Sequence, residues 1–164
     1  MLIIILLAFL LGAVAYDVVS HRLPNYYLLL GVPVALALQA WIAGWAGVMA
    51  GGAGLLTGFA LFIPFYAMGG MAAGDVKLMA VVGGFLGIHG VAWAAGYSFL
   101  VAGICGVAYL VHKGQLGKMF SRYWAMASLG SYIPADERDA ARQRFPYAMA
   151  IAIGVLLSLC WTPI

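Results

Sequence analysis

Residues 1–16, MLIIILLAFLLGAVAY, form an uninterrupted apolar run that ends at Asp17. As an α-helix this run would be about 24 Å long, at about 1.5 Å per residue. The chain as a whole is also apolar, since 66% of its 164 residues are hydrophobic and 8% are charged. A soluble domain carries about 25% charged residues, so this chain lacks the polar surface to face water all round. The sequence therefore predicts an all-α, polytopic membrane protein.

Breaks in the apolar runs predict six transmembrane helices in a single membrane-embedded domain over residues 1–164. Glycines, prolines and polar residues mark these breaks. The spans are expected at about 1–16, 26–42, 48–68, 76–86, 91–111 and 145–161, with a polar cytoplasmic loop at 112–144. The first and fourth spans are short for a hydrocarbon core of about 30 Å. The acids at their ends are therefore expected somewhat below the cytoplasmic surface, in a cavity lined by protein.

The placement of charge predicts the orientation of these spans. If successive spans alternate direction, every Asp, Glu, Lys and Arg falls on the connections after the first, third and fifth spans. Lys and Arg favour the cytoplasmic side of a membrane. The charged connections are thus expected in the cytoplasm and the N-terminus outside. The net charge of +3 fits a protein beside anionic headgroups, and no nucleic-acid partner is expected.

The interior of the spans offers few polar groups. Gln39, Thr57 and a few serines are the polar residues within them, which argues against a polar path through the membrane. Glycines recur at four-residue spacing, which is typical of close helix packing. These pairs are Gly47/Gly51, Gly54/Gly58 and Gly83/Gly87.

Two acids differ from the others in their surroundings. Asp17 and Asp75 each adjoin an apolar run, and each is the single acid in its connection. An ionisable residue beside a span costs free energy, so a functional role is the default hypothesis. Asp136, Glu137 and Asp139 lie among arginines, and we interpret them as a solvated, charge-balanced surface.

Two carboxylates that lie close together suit acid–base chemistry on a peptide bond. They do not both ionise easily, so one can take a proton from water while the other, protonated, polarises a carbonyl. No metal is expected, since His21 and His89 lie on opposite predicted faces. The residues alone leave three other interpretations open. Asp75 could cap the following helix, Asp17 could pair with Arg22, or both acids could form a proton or ion pathway.

The residues around the two acids resemble the motifs of the type IV prepilin peptidase family. Asp17-(x)6-Pro24-Asn25 resembles that family's first-aspartate motif, D-(x)n-[IL]-P-N. Residues 72–78, AAGDVKL, resemble the second motif, G-x-G-D-V-K-L. Residues 144–147, RFPY, are similar to the family's late proline-containing motif. The resemblance covers most of the chain, and the order and spacing of the motifs agree with those of the family.

This resemblance implies a membrane-embedded aspartic endopeptidase whose catalytic pair is Asp17 and Asp75. It would remove the basic leader peptide from prepilin or pseudopilin substrates at the cytoplasmic face of the bacterial inner membrane. The implied partners are these substrates and the lipid bilayer, and no cofactor is implied. The chain begins with its first span and has no CxxC motif. It therefore resembles the short, peptidase-only members associated with Flp or tight-adherence pili, and no methyltransferase activity is expected.

The other motif residues are expected to support this pair. Pro24 and Asn25 would end the first connection and start the next span. Gly74 would let the backbone beside Asp75 approach the Asp17 helix closely. Lys77 would tune the acid pair or reach lipid headgroups.

One position departs from the family pattern. Ala72 stands where the second motif has its first glycine, and alanine adopts positive φ angles only at a cost. This departure keeps an inactive scaffold in a pilus or secretion assembly as an alternative, beside a small transporter or proton-relay protein.

Overall fold

The chain forms four helices across the residues that its computed structural model describes. These residues are 1–20, 23–112, 114 and 147–161. The helices are α1 (Leu2–Ser20), α2 (Asn25–Ala67), α3 (Ala73–His112) and α4 (Tyr147–Trp161). The predicted all-α class is confirmed for this part of the chain. The loop predicted at 112–144 lies outside the described residues, apart from His112 and Gly114.

The chain divides into two compact units. The first comprises Met1–Val101 and Pro146–Ile164, and the second comprises Ala102–Phe145. The first unit contains α1, α2, α4, most of α3 and both candidate acids. Of the second unit, the structure describes the last turns of α3 and Gly114.

Helical geometry is interrupted inside α2 and inside α3. In α2, Ala43 has φ −133° and ψ 17°, and Gly44 has φ 59° and ψ −139°. In α3, Gly87 has φ 71° and ψ −175°. Residues with a side chain adopt such positive φ angles at a cost, which explains glycine at both breaks. The breaks follow residues 26–42 and 76–86, where the sequence predicts turns.

The chain reverses direction at each break. A Cβ atom on Gly47 would meet the carbonyl oxygen of Gln39, which a continuous helix would hold about 12 Å away. A Cβ atom on Gly58 would meet both Met79 and Val91, although a continuous α3 would separate these two by about 18 Å. Both α2 and α3 are therefore helical hairpins.

Among the described helices, three are long and apolar enough to cross a membrane. They are α1, α2 and the part of α3 between Ala73 and Ala108. α4 is apolar but has 15 residues. Length and composition therefore fit a membrane protein. Six crossings, an external N-terminus and cytoplasmic charged connections stay predictions.

Both candidate acids lie within helices, whereas the sequence suggested that they lie on connections. α1 continues through Asp17 to Ser20, and α3 begins at Ala73, before Asp75. Residues 17–20 contain neither glycine nor proline, so no residue in them stops the helix. Pro24 disfavours helical geometry at Leu23, which is non-helical, so α1 does not continue into α2. An acid in the first turn of α3 is stabilised by the positive end of the helix dipole.

The core of the first unit surrounds the first segment of α3. Residues 78–86 of this segment are all buried. Apolar side chains from all four helices form one cluster around it, among them Leu6, Leu10, Leu28, Phe62, Val81, Phe85, Ile151 and Val155. The segment that begins beside Asp75 is thus enclosed by the other helices.

Glycines let α2 approach α3 at backbone distance. A Cβ atom on Gly54 would meet the carbonyl oxygen of Gly83, and one on Gly58 would meet the carbonyl oxygen of Met79. A Cβ on Gly83 would in turn meet the carbonyl oxygen of Gly54. The packing interpretation of the glycine spacing is therefore confirmed for these three residues.

Gln39 satisfies a carbonyl group that the break in α3 leaves without its helical partner. Its Nε2 atom donates to the carbonyl oxygen of the buried residue Phe85 at 2.7 Å. In an unbroken helix this oxygen would accept from the N–H group four residues later, but Gly87 interrupts the helix in between.

We expect Gln39→Leu to lower the free energy of unfolding by about 1–2 kcal/mol, because a buried carbonyl would lose its donor. Thermal unfolding in detergent measures this loss. Thr57→Val is the control. Its hydroxyl donates at 2.8 Å to the oxygen of Ala53 in its own helix, a carbonyl that the helix backbone already serves. Equal stability of the two variants would contradict the role of Gln39.

Candidate active site

Asp75 lies in the first turn of α3 and is 5% exposed. The backbone N–H of Ala72 donates to its Oδ2 atom at 3.1 Å. The N–H of Asp75 donates in return to the carbonyl oxygen of Ala72, also at 3.1 Å. A side chain that reaches back to the N–H ahead of a helix forms half of a capping box. Asp75 therefore caps α3, as one sequence interpretation proposed, and its carboxylate is held in place by this bond.

A tight turn leads from α2 to this cap. Gly69 has φ 74°, and its N–H donates to the carbonyl oxygen of Tyr66 at 2.9 Å. The N–H of Gly70 donates to the carbonyl oxygen of Phe65 at 2.8 Å. These two bonds form a Schellman motif, in which glycine provides the left-handed residue. The C-terminus of α2 is therefore capped, and α3 begins a few residues later.

Asp17 lies in the last turns of α1 and is half-buried. Its Oδ2 atom is fully buried. The carboxyl groups of Asp17 and Asp75 interact electrostatically, so two acids from helices far apart in sequence are brought together. Arg22, the alternative partner of Asp17, lies outside the described residues.

Tyr27 fixes the start of α2 against α1. Its hydroxyl donates to the carbonyl oxygen of Phe9 at 2.7 Å, and its ring stacks on the Phe9 ring with 4.6 Å between centroids. The Tyr16 ring lies 5.4 Å from the Tyr27 ring. Because Tyr16 precedes Asp17, these contacts hold the acid-bearing end of α1 beside the start of α2.

The first-motif residues Pro24 and Asn25 mark the beginning of α2, as expected. Pro24 is the N-cap residue, with φ −66° and ψ 133°, and Asn25 is the first helical residue. Leu23, just before them, packs on the second motif. A Cβ atom on Gly74 would lie 3.2 Å from the Leu23 Cβ. Gly74 therefore leaves room for Leu23 in the connection between α1 and α2, and its close approach to the Asp17 helix stays a prediction.

Lys77, in the second motif, is exposed and hydrogen-bonds to Asn25 of the first motif. Its Nζ atom donates to Oδ1 of Asn25 at 2.7 Å. The sequence suggested that Lys77 tunes the acid pair or reaches lipid headgroups. The hydrogen bond to Asn25 joins the beginning of α3 to the beginning of α2, and both suggested roles stay predictions.

Tyr147 is a residue of this region that sequence reasoning left without a role. It opens α4, is half-buried and interacts electrostatically with Asp75. α4 packs against α1, which brings its first residue towards the acids. The resemblance of the RFPY segment to a family motif drew attention to this part of the sequence, but it did not single out Tyr147 as a residue near the acids. Residues 144–146 lie outside the described part.

A metal ion requires a set of donor side chains that lie close together. Within this part of the chain, no three His, Cys, Asp or Glu residues come together as candidate metal ligands. His89 is exposed. The arrangement of Asp17 and Asp75 suits acid–base chemistry, in which one carboxyl accepts a proton while the other donates one.

The fold and the site define a class: all-helical proteins with membrane-length helices and a pair of interacting carboxyl groups at two helix ends. The type IV leader peptidase family matches over residues 4–111, a range that includes both acids. The chain belongs to this family.

A curated protein described as a prepilin leader peptidase/N-methyltransferase, from Bacillus subtilis (strain 168), is similar to the chain. The two are 28% identical over 161 residues, which is 94% of this chain and 53% of that protein. The chain therefore spans about half the length of this relative. No solved structure matches the present chain.

Proposed function

We propose that the chain is a membrane-embedded aspartic endopeptidase that cleaves the basic leader from prepilin-like proteins. Asp17 and Asp75 are its catalytic pair in this proposal, and the cut falls at the cytoplasmic face of the inner membrane. The proposal is carried by the position of the two acids on α1 and α3, whose carboxyl groups interact electrostatically, in a chain of the type IV leader peptidase family.

The proposed reaction uses the two carboxyl groups in opposite protonation states. The ionised member accepts a proton from water as the water oxygen attacks the scissile carbonyl carbon. The protonated member donates to the carbonyl oxygen. As the C–N bond of the tetrahedral intermediate breaks, the carboxyl group that took the proton from water gives it to the amine nitrogen, and the other carboxylate takes back the proton from the former carbonyl oxygen. The leader leaves with a new carboxyl terminus, and the mature protein begins with a free amine.

The polar residues within the helices favour this proposal over a proton-relay protein. A relay needs side chains that hand protons along a path. Gln39 and Thr57 donate to carbonyl oxygens, and Ser98 donates to the carbonyl oxygen of Ala94 at 2.6 Å. These groups serve the helix backbone, and we therefore assign them structural roles.

The contacts of Ala72 favour an active enzyme over an inactive scaffold. Ala72 is exposed, so its methyl group does not press on the acid pair. Its backbone N–H still holds the Asp75 carboxylate, and this contact needs no side chain. The replacement of the motif glycine therefore leaves the cap of Asp75 intact.

The proposed substrates follow from the site's position at helix ends. A prepilin keeps its basic leader in the cytoplasm while its apolar segment lies in the bilayer. A peptidase acting on it needs its acids at that boundary, where the charge distribution predicts Asp17 and Asp75. A Flp-type prepilin is the proposed substrate class, and we expect no methyl transfer by this chain.

Co-expression with a Flp-type prepilin tests the proposed function. We expect the prepilin to shift to lower mass on a gel only when the peptidase is present, because the leader is removed. Mass spectrometry of the product should show a single cut after the basic segment and an unmethylated N-terminus. Prepilin that stays full-length beside a folded, membrane-inserted peptidase would overturn the proposal for this substrate class.

A further inference from the structure

One exposed hydrogen bond connects the two segments that flank the acids. Lys77 follows Asp75 by two positions on α3, and Asn25 is the first residue of α2. Their side chains meet at 2.7 Å, Nζ to Oδ1. Both side chains are exposed, so the bond lies on the surface, away from the core that holds the helices together.

Lys77 does not share the helix face of Asp75. Residues two apart on an α-helix do not face each other, and Asp75 is buried where Lys77 is exposed. The ammonium group therefore lies away from the buried Asp75 carboxyl group and binds Asn25 instead.

The bond completes a series of contacts that runs from one acid to the other. Tyr27 holds the start of α2 against α1, which bears Asp17. Asn25, two residues before Tyr27, is bound by Lys77 of α3, which bears Asp75. Leu23 packs on Gly74 within the same junction. The Lys77 bond and the Leu23–Gly74 contact thus both join the segment that opens α2 to the start of α3.

We propose that the Lys77–Asn25 hydrogen bond positions Asp75 relative to Asp17, and that Lys77 and Asn25 are positioning residues of the site. The proposal rests on the proposed function insofar as it concerns catalysis. Neither residue contacts the peptide in this scheme. Their bond fixes the position of the two carboxyl groups relative to each other, and small displacements of such groups cost large factors in rate.

Distances between spin labels test the positioning role without reference to activity. Labels on cysteines at Ser20 and Ala73, both exposed helix ends, report how α1 and α3 lie at the junction, with Cys105 and Cys160 replaced by alanine. We expect one narrow distance distribution in the parent protein. Lys77→Met, Asn25→Ala and the double variant should broaden it equally, because each removes the same bond. Asn25→Asp keeps an oxygen acceptor and should preserve the narrow distribution.

Processing kinetics with the same variants test the consequence for catalysis. We expect kcat to fall about tenfold in Lys77→Met and in Asn25→Ala, with KM within about twofold of the parent. The double variant should be no slower than either single one, because interacting residues are not additive. Asn25→Asp should restore the parent rate, whereas a merely space-filling role would not distinguish Asp from Ala.

The outcomes separate this inference from the proposed function. Unchanged label distances in Lys77→Met would overturn the positioning role, whatever the activity. Broadened distances with an unchanged kcat would overturn its link to catalysis. A parent protein that cleaves no prepilin, yet shows the expected label response, would overturn the proposed function and support the positioning role.

Discussion

Replacing Asp75 with asparagine is expected to lower the rate of prepilin processing by about a thousandfold, the order of magnitude of a lost acid–base catalyst. Asn cannot exchange a proton with water or with the scissile carbonyl. Its side-chain oxygen can still accept from the Ala72 N–H, which now donates to Asp75 at 3.1 Å. The variant should therefore keep the cap of α3 and lose only the chemistry.

Asp17→Asn is expected to reduce the rate to a similar level, and the double variant should be little slower than either single one. Residues that act as a unit in one step are strongly non-additive. Rates are measured by the time course of leader removal in membranes or detergent. Thermal unfolding of each variant shows whether it is folded.

Two comparisons make this prediction specific. Asp136→Asn removes an acid from the polar stretch of the sequence and should process prepilin at the parent rate. Asp75→Ala loses both the chemistry and the cap, so it should also lower the free energy of unfolding by about 1 kcal/mol. Near-parent processing by a folded Asp75→Asn or Asp17→Asn protein would remove that residue from the catalytic pair.

The second large effect is expected at Gly54, where Leu should destabilise the fold by about 3 kcal/mol or more. A Cβ atom at this position would lie 2.7 Å from the Gly87 Cα and 2.8 Å from the Gly87 carbonyl carbon, and it would also meet the Gly83 oxygen. All three are backbone atoms, so no side-chain rotation relieves the overlap. The two hairpins would have to separate, and the segment that carries Asp75 would move with them.

Gly52 provides the matched control for this substitution. It lies on the same segment of α2, and a Cβ atom there has no heavy atom within 4 Å. Gly52→Ala should leave stability unchanged or raise it by up to about 1 kcal/mol, since alanine is the better helix former. The yield of monodisperse protein and the thermal midpoint in detergent measure both variants. A Gly54→Leu protein as stable as Gly52→Ala would contradict the close approach of α2 and α3.

Local signals explain which features of this fold were predictable. Gly44 and Gly87 interrupt the apolar runs, and the chain turns at both. These turns require positive φ angles, which glycine adopts most readily. The choice of Asp17 and Asp75 as candidates followed from their isolation beside apolar runs and from the motifs around them. The end of α1 was not predictable from the same rules, because Asp17 is polar but does not stop a helix.

Contacts between distant residues explain what the sequence could not show. The bond from Lys77 to Asn25 and the bond from Gln39 to Phe85 join residues on different hairpins or helices. Periodicity reports which face of a helix is apolar, but it does not report which neighbour that face meets. Tyr147 illustrates the same limit, since its proximity to Asp75 depends on how α4 packs.

The contact between α4 and α1 has a consequence for the biosynthesis of the protein. α1 leaves the ribosome first, while α4 is the last of the described helices to emerge. Ile151 and Val155 of α4 are fully part of the core, with 1% and 0% exposure, so the core is incomplete until translation has passed them. A nascent chain that has inserted α1 to α3 already carries both aspartates, but it lacks the helix that completes the apolar core and whose first residue, Tyr147, interacts with Asp75. Maturation of the site is therefore a late event, coupled to the arrival of the last described helix.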